Sequence, residues 1–243
     1  MRVDVALTPA DLARQHVTGR TVFVVDILRA TTTIAAALHH GAVAVVPAAT
    51  PEAARAAAAG IPGAVLAGER DCVRIAGFDL GNSPMEMRAR AVGGRTVVLC
   101  TTNGTAAIGA VRTAAQVYAL AAVNFAVSVE RGRALLEDTG DLLVACAGRE
   151  GGFGLDDAYA AGRFLRAVLA GRTRGRGLTD AALVTVQLAR HHGNRWDRLL
   201  RQSSAGRQLI ALGFGEDVRV AARQDAFPVL ARLQEDRIVV AGA

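Results

Sequence analysis

The sequence predicts an α/β fold: three-layer packing around a largely parallel sheet. Three observations carry that prediction. Short β-rich runs alternate with Ala-rich stretches of helical length along most of the 243 residues. The runs are apolar nearly throughout, as in strands covered on both faces. Turn residues separate them at the spacing of βα units. A division near residue 123 gives two α/β lobes, 1–123 and 124–243, with a site between them; one compact domain is the other arrangement the pattern allows.

TVFVVDI (21–27) is the first predicted strand, and TTIAAALHHG (32–41) a helix closed by Gly41. AVAVVPA (42–48) is the second strand. PEAARAAAAG (51–60) is a helix with Pro51 at its first turn and Gly60 at its end, the ends those residues favour. AVLAGER (64–70) and RTVVLCT (95–101) are strands, and GTAAIGAVRTA (104–114) is a helix. QVYALAA (116–122) precedes a helix over 124–137, and DLLVACA (141–147) precedes one over 156–169. After an Arg/Gly-rich surface loop, GRTRGRG (171–177), the chain is helical over 179–212, with a last strand or two in PVLARL and RIVV. Ser83-Pro84-Met85-Glu86 has the form of a capping box, which predicts a helix starting at Ser83. The segment before it, 68–82, is then a long loop, and long loops in compact α/β domains are usually functional.

Composition narrows the chemistry. Hydrophobic residues make up 51% but aromatics only 4%, so the core is built from Ala, Val and Leu. The net charge is +6 and the sequence pI is about 10.4, values that raise nucleic-acid binding. All 28 basic residues are arginines, spread along the chain among acids, which argues against a basic binding face. With no lysine there is neither a phosphate-binding G-x-x-x-x-G-K-[ST] loop nor a Schiff-base lysine. Cys72, Cys100 and Cys146 are too few for a disulfide framework and point to a reduced, cytoplasmic setting. The first residues contain no uninterrupted apolar stretch of the signal-peptide kind, and no apolar run is long enough to cross a membrane.

Polar residues gather where predicted strands end. Asp26 and Arg29 follow the first strand, Glu69 and Arg70 close the third, and Thr101, Thr102 and Asn103 follow the fourth. Arg149 and Glu150 follow the sixth, and Asp156 and Asp157 open the next helix. In a parallel sheet such ends share one crevice. Converging carboxylates suit a hard cation such as Mg²⁺, and arginines suit an oxyanion. Threonine hydroxyls and helix-start N–H groups, near Thr31, Thr32, Thr33 and near Gly104–Thr105, suit phosphate. Together these describe phosphate-ester chemistry, although Asp26 and the threonines are equally the residues that cap a helix. Cysteine-, aspartate- and histidine-nucleophile phosphatase signatures are absent: Phe78, Ala106 and Gly152 stand six residues after the cysteines, Ile27 and Leu28 follow Asp26, and Arg190-His191-His192-Gly193 replaces Arg-His-Gly.

The strings VVDILRATTTI (24–34), GER (68–70), GFDLGNSPMEM (77–87), TTNGTAAI (101–108) and CAGREGGFGLDDAYAAG (146–162) resemble the 2-phosphosulfolactate phosphatase (ComB) family, in order over about residues 20–165. EDV (216–218) and the Asp225…Pro228 region continue the match more faintly. The resemblance implies an α/β, Mg²⁺-dependent hydrolase that converts 2-phospho-3-sulfolactate to 3-sulfolactate in coenzyme M biosynthesis. It places Asp26, Arg29, Glu69, Arg70, Asp79, Asn82, Ser83, Thr101, Thr102, Asn103 and Thr105 within its motifs. Where the family is expected to carry Ser-x-Glu-Asp, this chain has Gly154-Leu155-Asp156-Asp157, so Asp157 keeps the aspartate and Asp156 is one methylene short.

The expected catalytic residues are therefore Asp26, Arg29, Arg70 and Asp157, with Mg²⁺ on Asp26 and on Glu69 or Asp157. Substrate contacts are expected from Thr31, Thr32, Thr33, Asn82, Ser83, Thr101, Thr102, Asn103, Thr105 and Arg149. Attack is by water, or through a phosphoaspartate at Asp26. The expected partner is a small phosphorylated acid, not nucleic acid or a membrane, and the expected assembly, if any, is a homodimer. A phosphatase for another phosphorylated hydroxy acid, or a non-catalytic anion- or RNA-binding module, are the rival readings. The convergent carboxylates favour the enzyme.

Overall fold

The computed structural model describes residues 1–170 and 177–242. The strands are β1 (Arg2–Ala6), β2 (Thr21–Val25), β3 (Ala44–Ala48), β4 (Val65–Arg70), β5 (Val73–Arg74), β6 (Thr96–Cys100), β7 (Gln116–Leu120), β8 (Asp141–Cys146), β9 (Ala231–Gln234) and β10 (Arg237–Val240). They form one sheet in the order β1-β8-β2-β7-β9-β10-β3-β6-β4-β5. β1, β8, β2 and β7 are mutually parallel, as are β3, β6 and β4. The β9–β10 hairpin separates the two blocks and is antiparallel to both neighbours. Three antiparallel pairings in succession reverse direction, so the blocks run opposite ways. The sheet is largely parallel, but its strands do not all point alike, as the sequence reading assumed.

Helices cover the sheet. They are α1 (Pro9–Ala13), α2 (Ala30–His39), α3 (Pro51–Ala59), α4 (Ala89–Val92), α5 (Gly104–Ala110), α6 (Phe125–Thr139), α7 (Leu155–Val168), α8 (Asp180–His192), α9 (Trp196–Gln202), α10 (Ser204–Ala211) and α11 (Gly215–Ala221). Alternate residues of β2 face opposite layers, as a strand's period of two requires. Phe23 and Val25 join a core with α6, α7, α8 and α9. Val22 and Val24 join a core with α2 and α5. β6 repeats the pattern: Val97 and Leu99 lie in the α2/α5 core, Val98 and Cys100 under α3. The result is a three-layer α/β sandwich. Gly162 lets α7 lie close on α8, where a Cβ would fall 1.9 Å from the Thr185 carbonyl oxygen.

Local chemistry accounts for several boundaries. Thr8 and Thr50 cap α1 and α3 by accepting from the Asp11 and Ala53 N–H groups, each with proline next in the chain. Gly140 ends α6 at φ +67°. Other expectations change. Ser83 starts one turn, not a helix: its hydroxyl goes to Asp217 and the Glu86 carboxylate to the Gly81 N–H. The fully buried Met87 then draws the chain into the core before α4. The helical stretch 179–212 is three helices, α8 to α10. β1 was not foreseen. Of the expected 171–177 loop, residues 171–176 lie outside the described residues. The 123/124 division cuts through the sheet, since β8 sits between β1 and β2 and the C-terminal hairpin separates β7 from β3.

Candidate active site

The carboxyl ends of β2 and β8 come from one block and those of β4 and β6 from the other. All four border one cavity of about 100 Å³. Although the blocks run opposite ways, their ends come together here: a Cβ on Gly104, after β6, would fall 2.6 Å from Asp26 Oδ2, after β2. α10 supplies the remaining wall, through Ala205, Gln208 and Leu209.

Asp26 follows β2 and is 8% exposed. Its Oδ1 accepts from the Ala30 N–H at 3.3 Å, and its carbonyl accepts from the Thr31 N–H at 2.9 Å. It therefore caps α2, and of the helix-start N–H groups that the sequence offered to phosphate those of Ala30, Thr31 and Thr33 are already engaged. Oδ2 meets no donor among the described residues. Burial pushes the Asp26 carboxyl up to about 7, with Asp156 and Glu69 raising it further and the Ala30 N–H and Arg29 opposing. Burial also pushes Asp156 up to about 6, against the N–H groups that open α7 and the charge of Arg149. Both carboxylates line the cavity. Asn82 lines it too, and its buried Oδ1 has no hydrogen-bond partner among the described residues.

Two other acids serve as braces. Asp157 accepts from the Ile27 N–H at 3.0 Å and from the Gly148 N–H at 3.1 Å, tying the end of β2 to the end of β8. Burial, then the charges of Asp156 and Asp26, push its carboxyl well up. Glu69 accepts from the Cys72 and Thr102 N–H groups, both at 2.8 Å, tying the β4–β5 turn to the turn after β6. The oxygens of both side chains, expected to hold metal, are thus engaged by the backbone. Asp156, one methylene short of the glutamate that the resemblance expects, receives no side-chain hydrogen bond among the described residues.

The three arginines separate. Arg29 is 4% exposed and lines the cavity. It donates to Asp217 Oδ2 at 2.7 Å and to the Cys72 carbonyl at 2.8 Å, with its guanidinium 4.6 Å from the Phe214 ring centroid. Arg149 lines the cavity, donates to Gln208 and Glu150, and keeps a quarter of its side-chain surface exposed. Arg70 does not reach the cavity. It donates to its neighbour's carbonyl, to the Ala49 carbonyl and to Cys100 Sγ.

The hydroxyls are mostly spent on the backbone. Thr31, Thr32 and Thr33 donate to the carbonyls of Asp26, Ile27 and Asn82. Thr101 and Thr105 bond each other around the start of α5. None of these five lines the cavity, whereas Thr102 and Asn103 do. Ser83 donates to Asp217 Oδ1 at 2.6 Å, and Asp79 accepts from the Leu66 N–H. Gly104 is required where it stands: a Cβ would fall 2.4 Å from Ala30 Cβ and 2.6 Å from Asp26 Oδ2.

Sequence reasoning missed Gln208, Phe214 and Asp217. The EDV string marked Asp217, but nothing local marked the other two. Among the described residues no three His, Cys, Asp or Glu side chains are grouped to hold a metal ion. Mg²⁺ asks for less, commonly one or two carboxylates with waters and substrate oxygens. Asp26 and Asp156, both raised by burial, and the unpartnered Asn82 oxygen are an all-oxygen donor set of that kind.

An α/β scaffold with buried carboxylates and arginines around one strand-end cavity defines an enzyme for a small anion. A family model described as 2-phosphosulpholactate phosphatase matches residues 6–236. A Deinococcus radiodurans protein is 41% identical over 221 residues, 90% of either chain. One from Symbiobacterium thermophilum is 38% identical over 228 residues, 93% of this chain and 96% of its own. One from Thermotoga petrophila is 36% identical over 231 residues, 95% of each. Each carries the name "Probable 2-phosphosulfolactate phosphatase". The chain belongs to the 2-phosphosulfolactate phosphatase family, and so to the phosphoric monoester hydrolases. No helix among the described residues is long and apolar enough to cross a membrane.

Proposed function

We propose that the protein hydrolyses 2-phospho-3-sulfolactate to 3-sulfolactate and phosphate, the coenzyme M type of reaction, with Mg²⁺ as cofactor in the cytoplasm. The observation that carries it is the pairing of Asp26 with Asp156. Two buried acids repel each other in one cavity, in a chain of this family, and Arg29, the buried arginine that lines it, is already paired with Asp217. Asp26 and Asp156 would hold the ion, with Asn82 Oδ1 as a neutral donor. An Mg²⁺ ion held by these residues would supply neutralisation of charge on the phosphoryl oxygens. Asp26 takes the proton of the attacking water through Oδ2, the oxygen that meets no donor among the described residues. The same proton passes to the departing alkoxide of the hydroxy acid. Arg29 faces the phosphoryl group, and Arg149, nearer solvent, takes the carboxylate or sulfonate. Asp157 and Glu69 hold the four strand ends in register.

The test is phosphate release from 2-phosphosulfolactate with Mg²⁺ and with EDTA, alongside Asp26→Asn and Asp156→Asn. The expected result is Mg²⁺-dependent release that both variants abolish. Release from other phosphorylated hydroxy acids but not from this one would discard the substrate and keep the mechanism. Release unaffected by EDTA would discard the metal.

A further inference from the structure

Arg29 is a flexible side chain held unusually firmly. Asp217 holds one terminal nitrogen, the Cys72 carbonyl holds the other, and Phe214 lies against the face. Arg29 and Asp217 are both almost fully buried, with 3% and 4% of their side-chain surfaces exposed. Asp217 does not line the cavity; Arg29 does. The other Asp217 oxygen accepts from Ser83, which fixes the carboxylate and ties it to the turn carrying Asn82. The contact joins residues 188 positions apart and brings α11 to the site.

We propose that Asp217 is a positioning residue: it aims the remaining N–H donors of Arg29 into the cavity and affects the reaction only through that arginine. A guanidinium has five N–H donors. Asp217 and Cys72 engage one on each terminal nitrogen, leaving three for an oxyanion. Ser83 then acts indirectly, by holding the carboxylate that holds the arginine. The inference rests on the phosphatase reading for its turnover readout and on phosphate binding for a readout that does not need it.

The experiment is a double-mutant cycle of Asp217→Asn and Arg29→Lys, read as kcat/KM and as inorganic phosphate affinity by calorimetry. Alone, Asp217→Asn is expected to lower kcat/KM about 10²-fold, the scale of a misplaced catalytic group, and to weaken phosphate binding. In the Arg29→Lys background it is expected to change neither. A merely structural aspartate would cost the same factor in both backgrounds, and that additivity would overturn the proposal. So would Asp217→Asn with wild-type kinetics and phosphate affinity. If Asp217→Asn does not fold, Asp217→Glu, which keeps the charge but displaces it by one methylene, replaces it with the same expectation. A wild-type protein that binds phosphate but never turns over 2-phosphosulfolactate would count against the substrate alone; the cycle is then decided by phosphate affinity.

Discussion

Replacing Asp26 with asparagine should stabilise the metal-free protein, most strongly at alkaline pH. The folded protein raises this carboxyl from 3.8 to about 7. Between those values the folded state binds more protons than the unfolded one, so stability falls as pH climbs from about 4 to about 7 and the full penalty stands above that. A shift of that size corresponds to about 4 kcal/mol. The asparagine that replaces it is still a buried polar group, which offsets part of that gain, so the variant should recover about 2 kcal/mol. For a chain of this length that is a Tm rise of about 4–8 °C. Asparagine matches the shape and carries no charge, so the gain should appear at pH 8 and shrink to about a third at pH 5, where the folded wild type is already largely protonated. The assay is thermal unfolding of both proteins in EDTA at the two pH values. Adding Mg²⁺ at pH 8 should raise the wild-type Tm and leave that of the variant unchanged. A gain of equal size at both pH values, or a loss at pH 8, would refute burial and repulsion as the source of the shift.

Three further outcomes follow from the same geometry. Glu69→Gln replaces with a donor one of the two oxygens that accept the part-buried Cys72 and Thr102 N–H groups, and should cost about 1 kcal/mol in thermal unfolding even in EDTA; an unchanged Tm would mean the brace is idle. Arg149→Ala should raise KM about 10-fold or more, as expected for a charge-assisted contact, while Arg70→Ala, outside the cavity, should stay within about threefold of wild type. Equal kinetic losses would contradict the orientations of the two arginines. Gly104→Ala pushes a methyl group against Ala30 and Asp26 Oδ2 and should lower kcat/KM about 10²-fold; normal kinetics would show that the two helix starts can separate.

The β2–α2, β6–α5 and β8–α7 units were legible in the sequence because their signals are local. Apolar runs, helix-length Ala-rich stretches and turn residues act within a few positions of one another, and all three units appear within a few residues of their expected bounds. The cavity was legible for a related reason: acids and arginines placed straight after buried strands must emerge at strand ends. β1 went unseen because it is a short edge strand, RVDVA, without the continuous apolar run that marks the buried strands beside it. The Ser83 turn misled because a capping box is only a set of donors and acceptors, and here Asp217 and Gly81 claimed two of them.

By itself the sequence determined which chemical groups the protein owns, which segments become strand or helix, and which strand ends carry charge. The tertiary structure alone decided what each group is free to do. A hydroxyl or carboxylate bonds the nearest unsatisfied partner once water is excluded. That is why Thr31, Thr32 and Thr33 close turns, why Glu69 and Asp157 brace backbone N–H groups, and why Arg70 turns away while Arg29 is held at the cavity by Asp217. It also decided that two parallel blocks of opposite direction share one sheet, because the C-terminal hairpin is inserted between them. Such partners lie up to 188 residues apart, and local sequence carries no signal of a contact made only when the whole chain is packed.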